Sequence, residues 1–285
     1  MLTFSIAGLV FEMRVPHPIT VTENFVPFRS DDQQPDFRLC YDETPSLPQV
    51  PGEMVFRNIL FEVWRSGDRY TRVHIDHLRG DRPYAVTTAD LKTGEVLTRF
   101  LGRDRRFFSE SHNCFYHIGF EELLISRDRL ILHASFVETP YGGLLFSGPS
   151  GVGKSTQAAL WEEFGGGTQI NGDRPVLSRT SAGWMAHGSP YAGSSRCYAN
   201  RSCPIAAVVM LEQAEACALR RLAAGEAFRA LFSGMTVNSW NEAYVERVCD
   251  LTMDLAERVP VYRLACTPDR RAVELLNKEL EVRTP

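Results

Sequence analysis

In the first 128 residues apolar positions recur mostly at every second place, in short runs broken by polar turns. That period predicts strands. A strand or pair of strands is expected over 4–15, and a short one over 37–41 within a polar, proline-containing stretch. The alternation over 56–64, the turn Ser66-Gly67-Asp68 and the run 70–75 predict a hairpin. Strands over 84–88 and 96–100 follow, joined across Lys92-Thr93-Gly94. Over 115–126 the spacing becomes helical and predicts one helix packed against the second half of the chain.

Beyond 128 the pattern alternates between the two periods. Strands are expected over 130–137, 144–146, 168–171, 176–178 and 184–188. The Val- and Ile-rich run 204–211 is predicted to be a central strand, with 219–222 at an edge and 259–264 last. Helices are predicted over 157–164, 225–232, 240–258 and 271–280. Asn238 or Ser239 is the expected cap of the third, and Thr267 with Pro268 at the first turn of the fourth. The expected fold is α/β (α+β). A β-rich region over 1–128 precedes a mixed-sheet, P-loop nucleotide-binding domain over 129–285.

Gly148-Pro149-Ser150-Gly151-Val152-Gly153-Lys154-Ser155-Thr156 decides that last assignment. It matches G-x-x-x-x-G-K-[ST] in full, after a predicted strand and before a predicted helix, which is the context the motif requires. Glycines let consecutive backbone N–H groups turn toward phosphate oxygens, and the helix start adds its positive end. Gly148, Ser150, Gly151, Val152, Gly153, Lys154, Ser155 and Thr156 are therefore the expected nucleotide-binding residues. Lys154 would meet the β- and γ-phosphates of ATP, and the Ser155 hydroxyl would meet Mg²⁺.

Composition narrows the rest. A net charge of −4 gives no basis for a nucleic-acid-binding surface. No run approaches 18 apolar residues, so no membrane span is expected. The apolar patch over 4–11 is followed at once by Arg14, Pro16 and His17 and reads as a strand, not a signal peptide. The seven scattered cysteines form no C-x-x-C pair and suit small buried side chains in a reducing compartment, so a cytoplasmic location is expected.

Asp173 follows the predicted strand 168–171. A carboxylate there can hold Mg²⁺ or take a proton from an incoming hydroxyl. The same four letters, Gly-Asp-Arg-Pro, recur at Gly80 to Pro83, where Asp81 is expected to be a turn residue. Arg174, Arg196 and Arg201 are candidate charge clamps, with Arg196 favoured by its Gly- and Ser-rich loop. His133 lies on the strand preceding the P-loop strand and could touch phosphate or be structural. His187 is a weaker candidate.

Leu132-His133-Ala134-Ser135, the loop from Gly148 to Thr156, Asn171 to Pro175, and Gly188 to Gly193 occur in an order that resembles the HPr kinase/phosphorylase-like P-loop proteins. These share a core with phosphoenolpyruvate carboxykinases. The tail from Val259 to Pro268 is similar to an uncharacterised single-P-loop bacterial branch. The resemblance covers about 115–280 and implies ATP- and Mg²⁺-dependent transfer of the γ-phosphate to a hydroxyl. The acceptor it implies is a serine of a peptide or protein. It also implies a phosphate-handling role for His133, a base role for Asp173, and hexamers, hence a homo-oligomer.

Two departures stand out. Arg174 occupies the position of a second Asp, and Arg196 is the available substitute for a Lys expected near Gly193. The expected function is a kinase with Asp173, His133, Lys154 and Arg196 at its centre and Ser155 and Asp173 as metal ligands. A non-catalytic ATP-binding regulatory module and a small-molecule kinase are the alternatives.

Overall fold

The computed structural model describes residues 1–32 and 34–282, and the chain divides into two compact units, Met1–Ser126 and Arg127–Pro285. The first unit contains β1 (Leu2–Ile6), β2 (Leu9–Arg14), β3 (Phe37–Thr44), β4 (Glu53–Arg57), β5 (Phe61–Ser66), β6 (Arg69–Asp76), β7 (Arg82–Asp90) and β8 (Glu95–Leu101). They form one eight-stranded sheet in the order β1-β2-β3-β8-β7-β6-β5-β4.

The strand expected over 56–64 is two strands. The Asn58 side chain accepts from the N–H groups of Leu60 and Phe61 at 2.8 and 2.9 Å, which turns the chain between β4 and β5. An Asx turn thus overrides the alternation. The single helix expected over 115–126 is likewise two short ones, α1 (Ser111–Tyr116) and α2 (Phe120–Ile125). Gly119 separates them in the left-handed region at φ 67°. Phe115 packs on Phe4, Phe11 and Phe25, so the face of α1 is buried within its own unit.

The second unit holds β9 (Arg129–Ile131), β10 (Ala134–Thr139), β11 (Gly142–Ser147), α3 (Lys154–Phe164), β12 (Thr168–Asn171), β13 (Val176–Thr180), β14 (Gly183–His187), β15 (Ser202–Gln213) and β16 (Ala218–Arg221). The helices α4 (Ala224–Phe232) and α5 (Glu242–Arg258), strand β17 (Val261–Cys266) and helix α6 (Arg270–Glu281) complete it. The sheet runs β12-β10-β11-β15-β14-β13-β9, with β17 beside β15 and β16 beside β17. This is a mixed α/β fold. β11, β15 and β17 are mutually parallel; β10 runs antiparallel to β11, and β12, antiparallel to β10, runs in the same direction as the parallel strands.

The strand expected over 130–137 breaks at Leu132 and His133. Its first part pairs with β13, its second with β11. At the break the His133 N–H donates to the Gly234 carbonyl at 2.8 Å, and Ser147 Oγ donates to the His133 carbonyl at 2.8 Å. The backbone groups lost from the ladder are thereby satisfied.

Two helix caps differ from expectation. Asn241, not Asn238 or Ser239, caps α5 by accepting from the Tyr244 N–H at 3.1 Å. Asp269, not Thr267, caps α6 by accepting from the Arg271 N–H, while Thr267 Oγ1 donates to the Asp269 carboxylate. The carboxylate suits the positive helix end better than a hydroxyl does. Among the described residues no helix is long and apolar enough to cross a membrane.

A Cβ at Gly119 would stand 3.0 Å from Arg72 Nε and 2.9 Å from Glu122 Oε2. Arg72 is buried and tied to Glu121 and Glu122, so it cannot swing away freely. Gly119→Ala is expected to cost about 1–2 kcal/mol from the left-handed backbone alone, read as a lower urea midpoint with unchanged cooperativity.

Candidate functional site

Parallel pairing brings the carboxyl ends of β11, β15 and β17 to one edge of the sheet. β10 runs the other way and brings its start to the same edge, with Ala134 opposite Ser147, whereas β12 runs with β11 and brings its end there, with Asn171 opposite Phe136. That edge therefore gathers His133, the loop after Ser147, the turn after Asn171, Gln213 and Cys266. Crevices at the carboxyl ends of parallel strands are where open α/β sheets bind ligands.

The loop over 148–153 takes left-handed backbone angles at Gly148 (φ 142°), Gly151 (φ 78°) and Gly153 (φ 109°). A side chain would be strained at each. Gly153 is the residue from which α3 starts, so the helix's unpaired N–H groups face the loop. Lys154 folds back over it, donating from Nζ to the Gly148 and Pro149 carbonyls at 3.1 Å each. Ser155 and Thr156 are exposed. Beside the loop lies a cleft of about 430 Å³, lined by Gly151, Val152, Gly153, Thr156, Gln157, Gln213, Ala214, Cys266 and Pro268.

On the other side, His133 Nε2 is 3.1 Å from Asp173 Oδ1. Burial lowers the His133 pKa, reinforced by Lys154 and Arg174 and only partly offset by Asp173. Burial therefore favours the neutral ring. Lys154 is also lowered, by burial first, with Asp173 opposing. These mutual influences place Lys154, His133, Asp173 and Arg174 within one electrostatic neighbourhood. Arg174 Nε lies 3.5 Å from Asp173 Oδ2.

Asn171, which carries no prediction from sequence, positions the turn. It is fully buried. Its Oδ1 accepts from the Asp173 and Arg174 N–H groups at 3.1 and 2.8 Å. Its Nδ2 donates to the Ser189 and Tyr191 carbonyls at 2.9 and 3.2 Å. The Asp173 turn is thus tied to the glycine-rich loop over 188–196. A Cβ on Gly193 would sit 3.0 Å from the Asp173 carboxyl carbon, so that loop presses directly on the carboxylate. The only available signal was an Asn two residues before a candidate Asp, a spacing that Asx turns share.

The remaining candidates divide. Arg196 is exposed in the same loop, with a left-handed backbone at φ 52°. Arg201 is held by Glu138, at the far end of β10 from His133, and is not part of the site. His187 is buried and bonded to Ser178 Oγ and Ser202 Oγ at 2.7 Å each, which makes it a structural residue. Asp81 pairs with Arg57 in the first unit. Among the described residues no three His, Cys, Asp or Glu side chains gather as a metal site.

No protein-family profile matches the chain, and no match was found among curated proteins. Among solved structures there is a remote match to the Hpr(Ser) kinase/phosphatase from Coxiella burnetii. It is 13% identical with a TM-score of 0.34, over 54% of this chain and 97% of that one. A likeness of that size carries no argument about activity.

Burial, and then Arg129, push the His187 pKa down to about 4. The unfolded chain takes up this proton near pH 6.5 and the folded one only near 4. Stability is therefore full above about 6.5 and falls as pH drops, by about 2 kcal/mol at pH 5. His187→Gln is expected to flatten that part of the slope when urea unfolding is compared at pH 7 and pH 5.

Proposed function

We propose that this chain is an ATP-dependent kinase that transfers the γ-phosphate to a hydroxyl, with a serine of a peptide or small protein as the acceptor. The observation that carries the reading is the convergence of Lys154, His133 and Asp173 at the edge where the glycine loop opens. A cation, an imidazole whose neutral form burial favours, and a carboxylate beside the glycine loop and the start of α3 suit phosphoryl transfer, in which positioning and charge neutralisation supply most of the rate. The ordered sequence blocks that resemble HPr kinase-like proteins of the single-P-loop branch support the same reading.

Each residue has a role in it. Backbone N–H groups over 148–153 and the start of α3 hold the phosphates. Lys154 exchanges its two loop carbonyls for phosphate oxygens, a favourable trade because a charged acceptor binds an ammonium about twice as strongly as a neutral one. The cleft beside Thr156 and Gln213 takes the nucleoside. Asp173 accepts the proton of the acceptor hydroxyl as its oxygen bonds to the γ-phosphorus and the bridging P–O bond to ADP breaks. His133, with Nε2 3.1 Å from the same carboxylate, lies beside the group being transferred. Arg196, in the loop that presses on Asp173, supplies positive charge to the transferring group.

The Ser155 hydroxyl and an Asp173 oxygen are the hard oxygen donors Mg²⁺ takes, with phosphate and water completing its shell. When bound, the ion neutralises charge on the triphosphate. Arg174 stands where a second carboxylate would strengthen metal binding, with its Nε 3.5 Å from Asp173 Oδ2.

The test is transfer of label from γ-labelled ATP with Mg²⁺ into an extract of the source cells. Label in a peptide or protein serine is expected, abolished by Lys154→Ala. Asp173→Asn should retain ATP binding and lose at least about 100-fold in kcat. Label moving into a metabolite would replace this reading with a small-molecule kinase. Tight ATP binding with no transfer to any acceptor would replace it with a regulatory module.

A further inference from the structure

β16 and β17 are antiparallel, with Ala218 opposite Ala265 and Leu219 opposite Leu264. Carried one residue past its last recorded pair, where β16 begins, that register would set Cys217 opposite Cys266. Both lie on the face of Leu219 and Leu264, packed into one core cluster. Facing residues of an antiparallel pair hold their Cβ atoms about 4.5–5.5 Å apart. A disulfide asks for about 3.5–4.5 Å, so a small closure of the two strands suffices. Both thiols are free.

Cys266 is also a wall of the cleft beside the glycine loop. Its sulfur is 3.3 Å from Gln157 Nε2, the hydrogen bond that fixes a buried side chain on the first turn of α3. Gln157 Oε1 is buried without a partner, so this bond is the one that orients the amide. Cys217 is the more exposed thiol, and its sulfur stands 3.6 Å from Thr267 Oγ1 at the start of the same wall.

We infer that Cys217 and Cys266 are a reversible oxidation site that takes a peroxide and reshapes the cleft next to the phosphate loop. Cys217 sulfur attacks the peroxide. An S–O bond forms, the O–O bond breaks and the first water leaves. Cys266 sulfur then attacks Cys217 sulfur, the S–S bond forms, the S–O bond breaks, and the second water leaves. The two thiols give up two electrons and two protons, and the peroxide takes both. A dithiol reductant reverses the step by exchange. Turning the Cys266 sulfur toward β16 removes it from Gln157, which leaves a buried amide without either partner one residue after Thr156. The loop and the helix start must then shift to restore them.

The effect on nucleotide rests on the kinase reading, whereas the disulfide and the loop's response do not. The full chain is treated with stoichiometric hydrogen peroxide and digested without reduction. The expected result is a linked peptide pair carrying Cys217 and Cys266, with altered hydrogen exchange over 148–157 in the absence of nucleotide. ATP affinity should fall at least tenfold and recover with dithiothreitol. Cys217→Ser should keep both exchange and affinity through the same treatment. A pair that stays unlinked overturns the inference, as does a linked pair with unchanged exchange over 148–157. If the reduced protein binds no ATP at all, the kinase reading fails, and the linkage and exchange measurements still decide this one.

Discussion

One buried amide constrains the candidate site more than any other group. Asn171 satisfies two N–H groups of the Asp173 turn with its oxygen and two carbonyls of the 188–196 loop with its nitrogen. Both loops would otherwise bury unpaired backbone, at about 1–3 kcal/mol for each group. An amide can do this because it accepts and donates from opposite ends. Aspartate could accept but not donate, and leucine could do neither. The carboxylate that faces Lys154 is thereby attached to the core and not left on a mobile turn.

The second constraint is the interrupted strand before the phosphate loop. A continuous strand over 130–137 would leave His133 within one ladder. The break lets the chain leave the β13 pairing and enter the β11 pairing, with His133 at the junction and its backbone taken up by Gly234 and Ser147. The imidazole therefore has a rigid base, and its Nε2 reaches Asp173 without a flexible stem. Burial disfavours the cationic form of both His133 and Lys154, and the Asp173 carboxylate opposes that shift in each.

Parallel pairing of β11, β15 and β17 gives the edge two sides. The proposed phosphate chemistry lies toward β10 and β12, while the cleft lies toward β15 and β17. Cys266 and Gln157 link the second side to the helix that starts at the loop, so a change in the strand wall reaches the loop through one hydrogen bond.

The amino-acid sequence alone determined the glycine loop, its flanking strand and helix, the central position of the 204–211 run, and Asp173 and His133 as candidates. These depend on local period, glycine backbone freedom and residue chemistry, all of which act over a few positions. The tertiary structure alone decided which candidates meet. It put Arg201 on Glu138 and His187 between two serines, and it moved the cap to Asn241. It also split 115–126 at Gly119, revealed the role of Asn171, and brought Cys217 and Cys266 into one core cluster. The physical reason is range: each of these depends on a hydrogen bond, ion pair or strand register between residues distant in the chain, or on competition between a turn and a longer periodic run.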